Sequence, residues 1–164
     1  MVDPGTNAPR RIVKLTLDEH TVIRRSQEVE QERAVAIFDL IEENYFSPVG
    51  IDGGPFVLLL KIEDNRLIFE VQSEAGDDLL RVQLALAGFR GIVKDYFMIC
   101  DSYYSAIKTA TRSQIEAVDM ARRGLHNDGS VMLRERLAGQ IEIDHNTARR
   151  LFTLICVLHI RGGK

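Results

Sequence analysis

The chain has 164 residues, of which 45% are hydrophobic and 27% charged, and its formal net charge is −3. This length and composition predict one folded domain with its own core, because the hydrophobic fraction is too high for a disordered protein. A membrane-spanning helix needs about 20 apolar residues, and the apolar runs of this chain are much shorter. The N-terminus also lacks the apolar segment of a secretory signal. We therefore expect a cytoplasmic protein without a membrane-spanning segment.

The N-terminal part of the chain predicts a tail, a strand and a helix. Residues 1–10 are polar and contain proline and glycine, which is typical of a disordered tail. Residues 11–17 alternate in hydrophobicity and are rich in β-branched side chains, which favours a strand. Hydrophobic residues then recur at helical spacing over residues 32–44, and Ser26 is a candidate cap for this helix.

The central part predicts three strands and a long helix. Strand-like segments over 56–62, 66–72 and 79–84 are separated by short turns, which is typical of an antiparallel meander. From Phe89 to Ile107 the hydrophobic period becomes helical and gives a wide apolar stripe.

The last third of the chain predicts helices interrupted by turns. Ser113 and Glu116 fit a capping box, and the helix that follows is expected to end near Gly124. The helix is expected to end there because residues 126–129 have a turn-forming sequence. A short helix over residues 131–137 is expected after this turn.

A short strand over residues 140–144 and a nearly all-apolar helix over 147–160 complete the chain, with Asp144 or Asn146 as the cap. A strand over 154–160 is the alternative, because that segment is rich in β-branched residues. Together the segments predict one α+β domain over residues 11–164, in which a small antiparallel β-meander packs against four or five helices.

Motifs for cofactor, metal or nucleophilic chemistry are not found in the sequence. No glycine-rich phosphate loop, no cysteine–histidine spacing typical of zinc and no Gly-x-Ser-x-Gly motif occurs. Cys100 and Cys156 lie within apolar helical patterns, so we interpret both as buried hydrophobic residues rather than as a disulfide or a reactive thiol. We predict neither a cofactor nor a metal, and no catalytic residue is assigned.

Two polar clusters are the candidate functional sites. The first combines cations, carboxylates and a histidine that titrates near neutrality, and it could bind an anion or transfer a proton. It consists of Asp119, Arg122, Arg123, His126, Asn127 and Asp128. The second is a helix face that could contact a partner, and it consists of Lys94, Asp95, Asp101, Ser102, Tyr103 and Tyr104. A helix C-terminus with dipole-compensating cations, and tyrosines at the edge of a core, are the plain structural alternatives.

The charge distribution is uneven along the chain. Residues 1–110 carry a net charge of −6 and residues 111–164 a net charge of +3, and the cations of the second part include two Arg-Arg pairs, at 122–123 and 149–150. Because carboxylates separate these cations, a solvated surface with ion pairs is the simplest interpretation.

Three functions are compatible with these patterns. The leading hypothesis is a non-catalytic interaction or regulatory protein that binds a protein partner or a second copy of itself. The alternative is a small enzyme or anion-binding protein with a site around Arg122, Arg123, His126 and Asp128. Nucleic-acid binding through the arginine-rich last third is the weakest hypothesis, because the overall charge is negative and no recognised motif is present.

Four long blocks of the sequence, at residues 32–44, 92–104, 113–130 and 147–158, resemble a numbered family of alphaproteobacterial proteins, UPF0262. The resemblance extends over nearly the whole chain after the tail. It implies a bacterial cytosolic protein with a single domain, and it supplies no activity, ligand or catalytic residue.

Overall fold

The structure of the protein is a computed structural model that describes residues 10–18 and 27–162. The predicted tail, apart from Arg10, and the predicted cap Ser26 lie outside the described residues. Arg10 belongs to the fold, because its guanidinium donates to Ser47 Oγ at 2.7 Å and to the Ile51 carbonyl oxygen at 2.7 Å.

The described residues form one α+β domain with six strands and four helices, which confirms the predicted fold class. Their bounds in chain order are β1 Ile12–Leu17, α1 Gln27–Glu42, β2 Phe46–Pro48, β3 Phe56–Glu63, β4 Arg66–Ser73, β5 Asp78–Ala85, α2 Ala87–Thr109, α3 Arg112–Leu137, β6 Ile141–Ile143 and α4 His145–Gly162.

The main sheet has the strand order β1-β3-β4-β5. Strands β3, β4 and β5 form the predicted antiparallel meander, and Asp64 and Asn65 make the first tight turn with positive φ angles of 53° and 61°. Strand β1 pairs parallel with β3, because the chain passes through α1 before it returns to the sheet. The sheet is therefore mixed, whereas the sequence predicted only antiparallel pairing.

A second sheet joins two strands of three residues, β2 and β6, in antiparallel register. The sequence predicted β6 but not β2, which is too short to show an alternating pattern. This pairing brings the segment after α1 beside the segment before α4.

Helix α4 lies at the centre of the fold, where it packs against α1, α3 and β3. The segment 154–160 is helical, so the alternative of a strand there is wrong. Both cysteines are free and buried, as predicted, and Cys156 is on this helix. No helix within the described residues is long and apolar enough to cross a membrane.

Helix α3 differs from the sequence prediction at its start. Thr111 caps the helix: its Oγ1 accepts from the Gln114 backbone N–H at 3.2 Å, and the Gln114 side chain accepts from the Thr111 N–H at 3.1 Å. The predicted box at Ser113 and Glu116 is therefore wrong. Helix α2 ends at Thr109, so the short connection places the start of α3 two residues earlier than the pattern suggested.

Helix α3 also continues through the predicted turn. It is unbroken from Arg112 to Leu137 and includes residues 126–129, so the predicted end near Gly124 and the separate helix over 131–137 are wrong. The physical reason is the packing of Gly129 on α4. A Cβ at Gly129 would lie 2.2 Å from Phe152 Cζ, so the missing side chain lets the two helices approach closely.

Replacing Gly129 by alanine tests this contact. We expect Gly129→Ala to lower the free energy of unfolding by about 1–3 kcal/mol, because the buried Phe152 ring would have to move. The matched control is Gly124→Ala on the same helix, where a Cβ meets no atom within 4 Å. The control should raise stability by about 0.5–1 kcal/mol, since alanine is the better helix former. Urea denaturation of both variants gives the comparison, and equal effects would contradict the packing argument.

Candidate functional site

A cleft of about 490 Å³ opens between α1, α3 and α4, with one tyrosine of α2 in its wall. Helix α1 contributes polar, acidic and apolar residues, whereas α3 and α4 each contribute an Arg-Arg pair. The lining residues are Gln31, Glu32, Val35, Ala36, Asp39, Tyr96, Arg122, Arg123, His126, Asn146, Arg149, Arg150 and Thr153.

The α3 wall is organised by one carboxylate. Asp119 Oδ1 accepts from Arg122 Nη2 at 2.6 Å, and its Oδ2 pairs with Arg123 Nη2 at 2.9 Å. These partners lie three and four residues apart on the helix, where side chains meet. The hydrogen bond with Arg122 lowers the pKa of Asp119 below its ordinary value. One negative charge therefore holds two guanidinium groups at the edge of the cleft.

Arg122 is further fixed by an aromatic ring. Its guanidinium carbon lies 4.5 Å from the centroid of the Tyr103 ring, a cation–π contact. Its side chain is 24% exposed, and its buried Nε has no hydrogen-bond partner among the described residues. Arg122 thus reaches the cleft with one donor unused.

His126 is held between rings at the back of the cleft. Its ring centroid lies 5.2 Å from that of Tyr96 and 5.3 Å from that of Phe152. Its Nε2 is 2.7 Å from Thr153 Oγ1, which is also 3.2 Å from the Arg149 carbonyl oxygen. A carbonyl can only accept, so the hydroxyl satisfies both contacts when it donates to Arg149 and accepts from Nε2–H. Nδ1 is then a buried lone pair without a described partner.

The surroundings of His126 keep the ring neutral. Burial lowers the pKa of His126 to about 4, and the positive charges of Arg149 and Arg122 act in the same direction. At neutral pH the cleft therefore contains a neutral imidazole beside charged guanidinium groups.

The α4 wall begins at the first turn of the helix. Asp144 Oδ1 accepts from the Thr147 N–H at 2.9 Å, so Asp144 is the cap and Asn146 is left to line the cleft. Thr147 Oγ1 accepts from the Tyr45 N–H at 3.0 Å, which fixes this turn against the end of α1. Arg150 Nη1 donates to the Glu43 carbonyl oxygen at 3.2 Å in the same place.

The positions of α4 that stay unburied between Thr147 and Leu158 all face the cleft. From Thr147 to Leu158 the side chains are buried except at Arg149, Arg150 and Thr153, and each of these three lines the cleft. The central helix is therefore open to solvent on this side alone along that stretch.

The α1 wall carries the opposite charge. Glu32 and Asp39 line the cleft from positions seven residues apart, with Val35 and Ala36 between them. Tyr104 of α2 donates its hydroxyl hydrogen to Glu32 Oε2, which fixes the carboxylate at this wall. Burial and then the hydrogen bond with Glu32 raise the pKa of Tyr104 above its ordinary value.

The structure brings together only part of the predicted first cluster. Arg122, Arg123 and His126 line the cleft, and Asp119 holds the two arginines. Asn127 and Asp128 are exposed and do not line it, because an unbroken helix rotates them about 100° and 200° away from His126.

The predicted second cluster is spread over the outside of α2. Lys94, Asp95, Asp101 and Ser102 are exposed and lie outside the cleft lining, whereas Tyr104 reaches it through Glu32. A role of this face in binding a partner stays a prediction.

Sequence reasoning missed most of the α1 and α4 walls. Glu32, Asp39, Arg149 and Thr153 were not candidates, although the second Arg-Arg pair followed by a threonine one turn later was a usable signal. Within the described part of the chain, no group of three or more histidine, cysteine or acidic residues could hold a metal ion.

Comparison with known proteins defines the family. The sequence pattern of the Uncharacterised protein family (UPF0262) matches residues 9–161. The chain belongs to the UPF0262 family. This agrees with the resemblance seen in the sequence, and the family description names no catalytic or binding activity.

Other UPF0262 proteins of alphaproteobacteria are similar over nearly their whole length. A UPF0262 protein of Paramagnetospirillum magneticum is 61% identical over 153 residues, which cover 93% of this chain and 98% of the relative. One of Rhodospirillum rubrum is 58% identical over 151 residues, with 92% and 93% covered. One of Bradyrhizobium sp. strain ORS 278 is 56% identical over 160 residues, with 97% and 95% covered. No solved structure shows significant similarity to the chain.

The lowered pKa of His126 predicts a pH dependence of stability. Between the ordinary pKa of 6.5 and the folded value of about 4, the unfolded chain binds a proton that the folded protein does not. Stability should therefore fall as pH drops, with His126 accounting for about 2 kcal/mol between pH 7 and pH 5.

The measurement is urea denaturation of wild type and His126→Gln at both pH values, in buffers without polyvalent anions. The wild type should lose about 2 kcal/mol more than the variant between pH 7 and pH 5. An equal loss in both proteins would show that burial and the neighbouring arginines do not lower the pKa of His126.

Proposed function

We propose that this protein binds a small anionic ligand in the cleft between α1, α3 and α4. The observation that carries the proposal is the meeting of two Arg-Arg pairs, 122–123 from α3 and 149–150 from α4, in one concave site. Guanidinium groups bind carboxylate and phosphate groups through paired hydrogen bonds, which is why arginine is common in sites for such ligands.

The charge balance supports this proposal. Arg122 and Arg123 share the single carboxylate of Asp119, and no described carboxylate forms an ion pair with Arg149 or Arg150. Arg150 binds a neutral carbonyl instead. The positive charges of these four arginine side chains repel each other. An anion bound among them would reduce this repulsion, so its binding is favourable.

The shape and polarity of the cleft support a small molecule. A volume of about 490 Å³ falls within the range of about 300–1,000 Å³ of small-molecule sites. Val35, Ala36 and the Tyr96 ring supply apolar surface beside the charged groups.

Binding is favoured over catalysis by the acid–base properties of the site. His126 with a pKa of about 4 is a weak base at neutral pH, whereas a general base works best with a pKa near the working pH. Burial raises the pKa of the Cys100 thiol to about 11, which disfavours a thiolate nucleophile.

We also infer a cytoplasmic location, which is supported by two cysteines that are buried and free. Binding of a protein partner, self-association and nucleic-acid binding stay predictions from the sequence.

Removal of one arginine tests the proposed function. Wild type should bind inorganic phosphate in isothermal titration calorimetry, and Arg149→Gln should weaken binding about tenfold, the loss expected for one charge-assisted hydrogen bond. The matched control is Arg112→Gln on α3, whose side chain is 92% exposed and lies outside the cleft lining. The control should bind as wild type does. Equal weakening by both variants would show binding to the general charge of the protein and not to the cleft.

A further inference from the structure

The cleft is not uniformly positive, because its α1 wall is acidic. Glu32 and Asp39 both line it, and seven residues of helix place them on one face about 10 Å apart. Within the ranges that the structure covers, no ion pair joins either carboxylate to Arg122, Arg123, Arg149 or Arg150. Opposite charges thus face the same space without neutralising each other directly.

The Glu32 carboxylate is held by a hydrogen bond from α2. Tyr104 donates to its Oε2, and the side chain is half-buried against α2. The second oxygen, Oε1, has no described donor. A partly buried carboxylate with one oxygen that accepts from no described donor is favourable for an ammonium group, which brings both a charge and a hydrogen-bond donor.

The Glu32 carboxylate is separated along α1 from the contact that α1 makes with Arg150 of α4. The Arg150–Glu43 contact places the first turns of α4 beside the end of α1. Glu32 lies near the beginning of α1, about three turns before Glu43, whose carbonyl oxygen contacts Arg150. A ligand that lies along the cleft therefore meets the α4 arginines at one end and the Glu32 carboxylate toward the other.

A simple anion would leave this arrangement unsatisfied. The arginines would attract it, but Glu32 and Asp39 would repel it, and neither carboxylate has a counter-ion among the described residues. A positive group on the same ligand removes that repulsion, so the acidic wall selects against plain anions.

We infer that the ligand is a zwitterion, in which a phosphate or carboxylate binds the arginines of α3 and α4 and an ammonium group binds Glu32. The inference rests on the proposed function and specifies the class of its ligand. Tyr104 acts as a positioning residue for Glu32.

Two matched pairs of probes test the inference by isothermal titration calorimetry on the full-length protein. They are phosphoethanolamine against ethyl phosphate, and 4-aminobutyrate against butyrate, and the members of each pair differ by one ammonium group. Wild type should bind the ammonium-bearing member of at least one pair about tenfold more tightly, as one added charge-assisted contact predicts.

Glu32→Gln should abolish the preference and leave ethyl phosphate or butyrate bound at least as tightly as by wild type. Glutamine still accepts from Tyr104, so the fold should be kept, and Asp39→Asn is a second variant with no hydrogen bond of its own to lose among the described residues. Glu116→Gln is the control, since Glu116 is 66% exposed, pairs with Arg112 and lies outside the cleft lining.

Each result decides between the two proposals. Loss of the preference in Glu32→Gln but not in Glu116→Gln supports the zwitterionic ligand. Binding of the anions without a preference, or a preference that survives Glu32→Gln, overturns it and leaves anion binding standing. If the protein binds neither inorganic phosphate nor any of the four probes, both the anion-binding proposal and the zwitterion proposal are overturned.

Discussion

The close contact between α3 and α4 at Gly129 and Phe152 is the constraint on which the site depends. A glycine within a helix costs about 1 kcal/mol relative to alanine, and here that cost is offset by the approach of a buried aromatic ring to the α3 backbone. The contact places His126, one turn before Gly129, opposite Thr153, the neighbour of Phe152. The hydrogen bond between these two side chains then closes the back of the cleft.

The elements that the sequence predicted well are those with a long and regular hydrophobic period. The meander, α2 and α4 belong to this class. In each of them the hydrophobic pattern continues over many residues, on one face of the element or, in α4, nearly all round it. The break in α3 was predicted from Asn127, Asp128 and Gly129, which are turn-forming in isolation. Tertiary packing overrides that local preference, and an argument from local sequence has no access to Phe152, which lies 23 residues further along the chain.

The candidate site was predictable to the extent that its residues are close in sequence. Asp119, Arg122, Arg123 and His126 are neighbours on one helix, so their spacing was sufficient to group them. Asn127 and Asp128 were grouped with them through a turn that does not form. Glu32 precedes this cluster by some 90 positions, and the packing of both α1 and α3 on α4 brings the two together.

The charge asymmetry of the chain acquires a structural meaning in the cleft. The acidic wall comes from α1, in the part of the chain with a net charge of −6, and the basic walls come from α3 and α4, in the part with +3. A solvated surface would scatter such charges over the outside of the helices. On α4, however, the positions left unburied from Thr147 to Leu158 are Arg149, Arg150 and Thr153, and all three face the cleft. Along this stretch the helix reaches solvent only at the cleft, so the cleft, rather than the protein surface in general, accounts for these three polar residues.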